Sequence, residues 1–338
     1  MNNLFMKASV LEAVNTPFIF KDVTKPIPQV NEVQVKLYAA ALNHRDIWIQ
    51  KGQYAGLKFP IICGSDGCGV ITGIGEHADA KWLNQEVVIN PSINWGDNSR
   101  VQARDYTILG LPENGTFAQY VCVPEHLVHQ KPAHLTVQHA AAIPLAGLTA
   151  FRVLFSRAKA IAGETVLITG AGGGVALFAT QFAIAAGCRV YVSSSSDAKI
   201  EQAKQLGATG GANYKTADWN KTLAKESGGF DVIIDGAGGE GFARLTDLAK
   251  PGGRIGVYGA TQGNWNSGIP ARTFWKQLDI LGSTMGTPHE FVEMLNFVSK
   301  QRIVPVIDSV FSLDETETAA RYMDGGNQYG KIVIDIES

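Results

Sequence analysis

Cys63, Asp66 and Cys68 lie within one short stretch, IICGSDGCGVI. Two soft sulfur donors and a hard oxygen donor this close together could bind a metal ion. The stretch is also dense in glycine and flanked by β-branched residues, which is how a tightly packed turn of a β-barrel reads. In that case the cysteines are small buried hydrophobes. The seven histidines are scattered without ligand spacing.

A second stretch, TVLITGAGGGVALFATQFAIAAG, carries the strongest signal in the chain. A buried strand over 165–169 runs into a glycine turn and straight into a helix. Glycines let the backbone turn tightly and approach a diphosphate closely. The helix start then offers unpaired N–H groups and a positive dipole end to that anion. Gly172, Gly173, Gly174 and Val175 are the expected diphosphate contacts. Ala176 fills the position where a small residue lets helix and strand pack.

The next strand, RVYV, ends in Ser193-Ser194-Ser195-Ser196, and the first acid is Asp197, inside the following helix. An acid at the strand end would bind the ribose 2′-OH of NAD. Hydroxyls from Ser193 and Ser194 with Lys199 one turn on suit a 2′-phosphate instead, so NADPH is the expected cofactor. Ser196 or Asp197 also reads as a helix cap. Tyr214, closing the ANY triplet, is placed near the adenosine phosphate.

These groups need two kinds of scaffold. The first third reads as short strands (VQVKLYAAAL, GCGVITGIG, NQEVVINP) without a helix of good length before TVQHAAAIPLAGLTAFRVLF. From residue 164 strands alternate with helices, the pattern of βαβ units on a parallel sheet. LDILGSTMG reads as the last strand of that sheet, HEFVEMLNFVSKQ as a helix, and GKIVIDI as a closing strand that rejoins the first module. A length of 338 residues favours two domains. A net charge of −2 without a Lys/Arg block argues against a nucleic-acid or anionic-membrane surface. No apolar run reaches the ~20 residues of a membrane span. The N-terminal segment lacks the marks of a signal peptide, and four cysteines form no disulfide scaffold, so a cytoplasmic protein is expected.

Taken together, GSDGCGVITGIG, NHRDIWIQKG, NPSINWGD, GTFAQYV, AAIPLAGLTAF and the glycine turn resemble the medium-chain dehydrogenase/reductase superfamily, in its order and over the whole chain. The resemblance implies an α/β protein: a GroES-like β-barrel domain over 1–138 and 287–338, and a Rossmann doubly wound parallel sheet over 139–286, with the site in the cleft between them. It also places the zinc ligands of the zinc-dependent members. Their positions are held here by Asn43, Ser65 and Leu145, and only Asp66, in place of the signature glutamate, is an oxygen donor. Residues 91–115 lack the four cysteines of a structural zinc lobe. No metal is expected, as in the zinc-free quinone oxidoreductases.

Hydride transfer from a nicotinamide then needs a group that polarises or protonates the acceptor. Asn43, at the lost cysteine position, offers an amide donor. Tyr54 falls where zinc-free quinone reductases line the cleft with a tyrosine, and its phenol could donate. The alternative is that both only shape the wall. Asp46 is expected to orient its loop, His44 to meet the cofactor diphosphate, and Trp95 to form either a substrate wall or core. The resulting expectation is a zinc-independent NADPH oxidoreductase acting on a small quinone or α,β-unsaturated carbonyl. Its rivals are an alcohol dehydrogenase-type enzyme and a non-catalytic NADPH-binding sensor. The family's edge-to-edge pairing of the last Rossmann strand implies a homodimer.

Overall fold

The computed structural model describes residues 4–265 and 270–337. The first three residues of the N-terminal segment therefore lie outside it. The chain divides into two units, Met1–Ala146 with Gly286–Ser338, and Gly147–Met285.

In chain order the first part holds β1 (Phe5–Leu11), β2 (Phe18–Thr24), β3 (Glu32–Ala41), α1 (His44–Gln50), β4 (Ile61–Ile62), β5 (Asp66–Ile74), β6 (Glu86–Ile89), β7 (Ser92–Ile93), β8 (Thr107–Ile108), β9 (Tyr120–Pro124), β10 (Val128–Gln130), α2 (Val137–Ala141) and α3 (Pro144–Phe151). Next come β11 (Thr165–Thr169), α4 (Gly174–Ala185), β12 (Arg189–Ser194), α5 (Asp197–Gln205), β13 (Gly210–Asn213), α6 (Trp219–Ser227), β14 (Phe230–Asp235), α7 (Phe242–Leu248), β15 (Ala249–Val257), α8 (Pro270–Trp275) and β16 (Asp279–Gly282). The chain then returns through α9 (Pro288–Gln301), β17 (Ile307–Ser312), α10 (Thr316–Asp324) and β18 (Lys331–Asp335).

The first unit is the GroES-like domain. Its main sheet runs β10-β6-β5-β3-β18-β17, with β9 also on β3, and β2-β1-β4 form a second sheet. Strand alternation fills the space between them: Val33, Val35 and Leu37 of β3 pack with Ile71, Val87, Phe117, Val121, Ile332 and Ile334. Each buries apolar area worth roughly 1.5–3 kcal/mol per side chain. Strand β18 does rejoin this unit, pairing antiparallel with β3 at Val333↔Ala41 and Ile334↔Ala40. On the other side of β3, Ala41 pairs with Asp66 of β5. The starts of β5 and β18 thus meet at the end of β3, where α1 begins.

The second unit is the Rossmann domain, a parallel sheet in the order β13-β12-β11-β14-β15-β16. Strand β11 is buried at every residue, as a parallel strand covered on both faces must be. The strand order reverses between β11 and β14, and in such sheets ligands bind outside the carboxyl ends at that point.

Two sequence expectations are adjusted. The run TVQHAAAIPLAGLTAFRVLF is broken rather than one helix, because Pro144 lacks an N–H and restricts the residue before it, so a new helix starts there. Helix α2 stays with the first unit because it packs on β3 and β5, which moves the division from 138 to 146.

Candidate active site

Where β3 ends, three buried polar side chains close a ring. Lys331 Nζ donates to Asp66 Oδ2 at 2.9 Å, to Asn43 Oδ1 at 2.8 Å and to the Leu42 carbonyl at 2.8 Å. Asn43 Nδ2 donates to Asp66 Oδ2 at 2.9 Å. The other carboxylate oxygen, Oδ1, accepts the Leu145 N–H at 2.7 Å. Lys331 is 3% exposed, Asp66 0% and Asn43 7%. The sheet register builds this ring: continuing the β3–β18 pairing past Ala41 sets Lys331 beside Asn43. Two charges this deep persist only because each is paired and hydrogen-bonded.

A second buried cation lies beside the first. Arg45 Nη1 donates to Ser65 Oγ at 2.6 Å and to the Leu109 carbonyl at 2.7 Å, and Ser65 Oγ donates to the same carbonyl at 2.8 Å. The guanidinium sits 5.1 Å from the centre of the Tyr54 ring, so Tyr54 packs on the same cluster, half-buried. Asp46 accepts the Asn43 N–H at 2.8 Å and the Gly64 N–H at 3.3 Å, tying the start of α1 to the glycine turn before β5. Its role is therefore to orient the loop. Complete burial pushes its pKa up to about 6, helped by Asp66 and opposed by Arg45 and its hydrogen bonds.

His44 keeps solvent access at the start of α1, but protein surrounds much of its ring. That crowding, then the Lys331 charge, lowers its pKa. Trp95 is core: it is 2% exposed, its indole N–H donates to the Asn98 carbonyl at 3.0 Å, and Tyr106 meets it edge-on.

The side chains at the zinc-ligand positions have other partners. Asn43 and Asp66 are taken up by Lys331, and Ser65 is taken up by Arg45. Leu145 contributes a backbone donor, not a ligand. Cys63 and Cys68 are fully buried, and burial raises both thiols, Cys68 to about 12. This set does not fit a zinc ion. Among the described residues no cluster of three His, Cys, Asp or Glu side chains forms elsewhere.

In the Rossmann unit a cavity of about 900 Å³ opens at the carboxyl ends of the strands. Thr169, Gly170, Ser193, Tyr214, Asp235, Gly238 and Arg244 are among the residues that line it. Asp235 holds its floor, accepting Thr169 Oγ1 at 2.6 Å and the Gly238 N–H at 3.0 Å. Burial raises its pKa. Gly170 and Gly172 have φ of +71° and +121°, which only glycine adopts without strain. Gly173 has an ordinary φ of −75° and caps α4. A Cβ there would meet only Gly170 O at 3.7 Å. Neither strain nor packing within the chain demands glycine at 173, whereas a diphosphate lying against the backbone would. Gly174 and Val175 open α4, and Ala176 is buried beneath it. The turn and cavity fit a dinucleotide.

At the end of β12 the serines divide their work. Ser193 lines the cavity. Ser194 is buried, with its hydroxyl toward Ala171 O at 3.4 Å and accepting Ser196 N–H at 3.2 Å. Ser196 caps α5, its hydroxyl accepting the Lys199 N–H at 3.4 Å. Sequence reading passed over Thr169, Gly170, Asp235 and Arg244, although the GAG after β14 is a second glycine turn at a strand end. It also passed over Lys331, whose only trace is a charge at the start of an otherwise apolar strand.

Asp46 yields a pH prediction. Its folded-state pKa lies above its unfolded value, so the native state binds the extra proton. Stability from this group is present at low pH and falls as pH rises from about 4 to about 6. The size is about 3 kcal/mol from 1.36 kcal/mol per pKa unit. Urea midpoints between pH 5 and 7 should fall more steeply for the wild type than for Asp46→Asn. Parallel profiles would contradict this assignment.

Comparison with known proteins agrees with both units. Residues 29–133 match the family described as "Alcohol dehydrogenase GroES-like domain", and residues 174–300 match "Zinc-binding dehydrogenase". The chain is 38% identical to the "Zinc-type alcohol dehydrogenase-like protein YogA" of Leptosphaeria maculans, covering 95% of each. It is 29% identical to a "Quinone oxidoreductase" of Mus musculus, covering 93% of this chain and 92% of that protein. A crystal structure described as an NAD-dependent alcohol dehydrogenase superposes with a TM-score of 0.93 at 35% identity, covering 98% of this chain and 100% of that one. The chain belongs to the medium-chain dehydrogenase/reductase superfamily and is an oxidoreductase with its nicotinamide-dinucleotide-binding fold.

Proposed function

We propose that this protein is a zinc-independent, NADPH-dependent oxidoreductase that reduces a small quinone or α,β-unsaturated carbonyl. The observation that carries the reading is the Lys331–Asn43–Asp66 ring, which fills the metal-ligand positions with hydrogen bonds and leaves an amide as donor. Gly172, Gly173, Gly174 and Val175 hold the diphosphate, and His44 is proposed as a further cofactor-binding residue. The bound nicotinamide supplies the hydride. Asn43 Nδ2 has one hydrogen on Asp66 and offers the other to the substrate oxygen as negative charge develops there. Tyr54, packed on Arg45, is the second donor or wall at this site. A preformed donor in a low-dielectric site gains much more than it would in water, because nothing reorganises as the charge appears.

The test is NADPH oxidation at 340 nm against a panel of quinones and enals. Turnover on the panel is expected. Tight NADPH binding without turnover would favour a sensor. Turnover only of small alcohols or aldehydes would favour an alcohol dehydrogenase-type enzyme, the reading to which the names of several relatives point.

The end of β12 supports the cofactor choice. It carries hydroxyls and no carboxylate, and Asp197 is held by Asn213 Nδ2 at 3.1 Å. Ser193, Tyr214 and Arg244 share one cavity. Because Ser194 is turned toward the backbone, Lys199 and Ser193 carry more of the 2′-phosphate binding than Ser194. Fluorescence titration should show NADPH binding tighter than NADH by roughly 1–3 kcal/mol, the range for hydrogen bonds to charged groups. Lys199→Ala should weaken NADPH and spare NADH, and Ser194→Asp should narrow the gap further by repulsion. Equal affinity for both cofactors in the wild type would refute the assignment.

The proposed assembly is a cytoplasmic homodimer paired through β16. This strand is the edge of the Rossmann sheet and exposes Ile280. An open apolar edge invites pairing. Four free cysteines accord with a reducing compartment. Among the described residues no helix is long and apolar enough to cross a membrane. Light scattering at micromolar concentration should give the mass of a dimer, and a monomer would contradict it.

A further inference from the structure

Lys331 is the only buried lysine among the described residues, and it touches none of the groups assigned to hydride transfer except Asn43. An ammonium has three donors. Here all three are placed, on Leu42 O, Asn43 Oδ1 and Asp66 Oδ2. Lys331 therefore has no hydrogen left for a substrate, and any effect it has on the reaction passes through a neighbour.

That neighbour is the Asn43 amide. In the observed orientation its oxygen faces the ammonium and its nitrogen faces the Asp66 carboxylate. Reversed, the amide would set NH₂ against NH₃⁺ and a carbonyl oxygen against a carboxylate. Both contacts would be repulsive in a buried, low-dielectric setting. An asparagine beside neutral neighbours turns either end outward, whereas the ion pair leaves this one a single orientation. Asp66 is held in turn by the Leu145 N–H at 2.7 Å, so the pair cannot rotate together. A cation on the amide oxygen also draws electron density from the nitrogen, which strengthens its remaining N–H as a donor.

We propose that Lys331 is a positioning residue: with Asp66 as its counter-charge, it fixes the nitrogen of Asn43 as the donor and polarises it through the amide oxygen. This rests on Asn43 serving as the donor in the proposed reaction. The alternative is that Lys331 merely neutralises Asp66.

Lys331→Met alone strands a buried carboxylate and stands to lose the fold. The decisive variant is therefore Lys331→Met with Asp66→Asn, which removes both charges together. Measured on the full chain with NADPH and the best acceptor of the panel, kcat should fall about tenfold or more, part of the 10²–10³ typical of a lost oxyanion donor. The Kd for NADPH should change far less than kcat, since no residue assigned to the cofactor is itself replaced and the only effect reaching one is the loss of the Lys331 charge near His44. Adding Asn43→Ala should cost little more, because both changes act through one donor. A folded double variant with wild-type kcat, or a fully additive loss with Asn43→Ala, would overturn the proposal.

A second readout needs no turnover. The Asn43 side-chain ¹⁵N–¹H pair should be two well-separated, slowly exchanging resonances in the wild type, and should shift and exchange faster in the double variant. Unchanged resonances would overturn the role of Lys331 whatever the reaction. Lack of turnover with a changed amide would overturn only the functional reading on which it rests.

Discussion

A single buried ion pair, Lys331 with Asp66, organises one end of the barrel unit. It joins the first residues of two strands that are 265 positions apart in sequence, and it does so across the end of the strand between them. Removing one partner of such a pair costs roughly 3–5 kcal/mol, because the other is left charged and unpaired. The pair also decides what the neighbouring side chains can be. With the ammonium on Asn43 and Asp66, and the Arg45 guanidinium on Ser65, the oxygen donors here face cations of the protein itself. Both cations are thus fixed in place by the fold.

The Rossmann unit works by the opposite device, leaving space rather than filling it. Glycine at 170 and 172 permits the left-handed backbone that ends β11. Glycine at 173 leaves bare backbone where a side chain would otherwise project. Asp235 ties the ends of β11 and β14 together on the floor of the cavity. One unit therefore presents fixed dipoles and charges, and the other presents an open cavity beside a glycine turn. An oxidoreductase whose cofactor carries the difficult chemistry needs little more from its protein than these two things.

Much of this was legible in the sequence where the signal is local. Strand β11, the glycine turn and α4 read directly, because a buried run, a glycine cluster and an apolar helix follow one another without interruption. That Asn43, Ser65 and Leu145 stand at the zinc-ligand positions was also legible, through family resemblance. Lys331 was not. Its partner is distant in sequence, and a lysine opening a strand ordinarily reads as a solvated end. Arg45 escaped notice for the same reason: its acceptors, Ser65 Oγ and the Leu109 carbonyl, are brought to it only by the fold. Ser194 looked like a phosphate donor because its type was right, but its direction, toward the Ala171 carbonyl, is a tertiary fact. Trp95 kept two readings until packing against Tyr106 showed it to be core.

In the proposed reaction, positive charge held by protein side chains and acting through the Asn43 amide takes the place of a metal ion. The most direct measurement is elemental analysis combined with turnover on one preparation, before and after exhaustive chelation. Far less than one zinc per chain is expected, with NADPH-dependent reduction unchanged by the chelator. About one zinc per chain, with activity that is lost on chelation and restored by adding zinc, would contradict it.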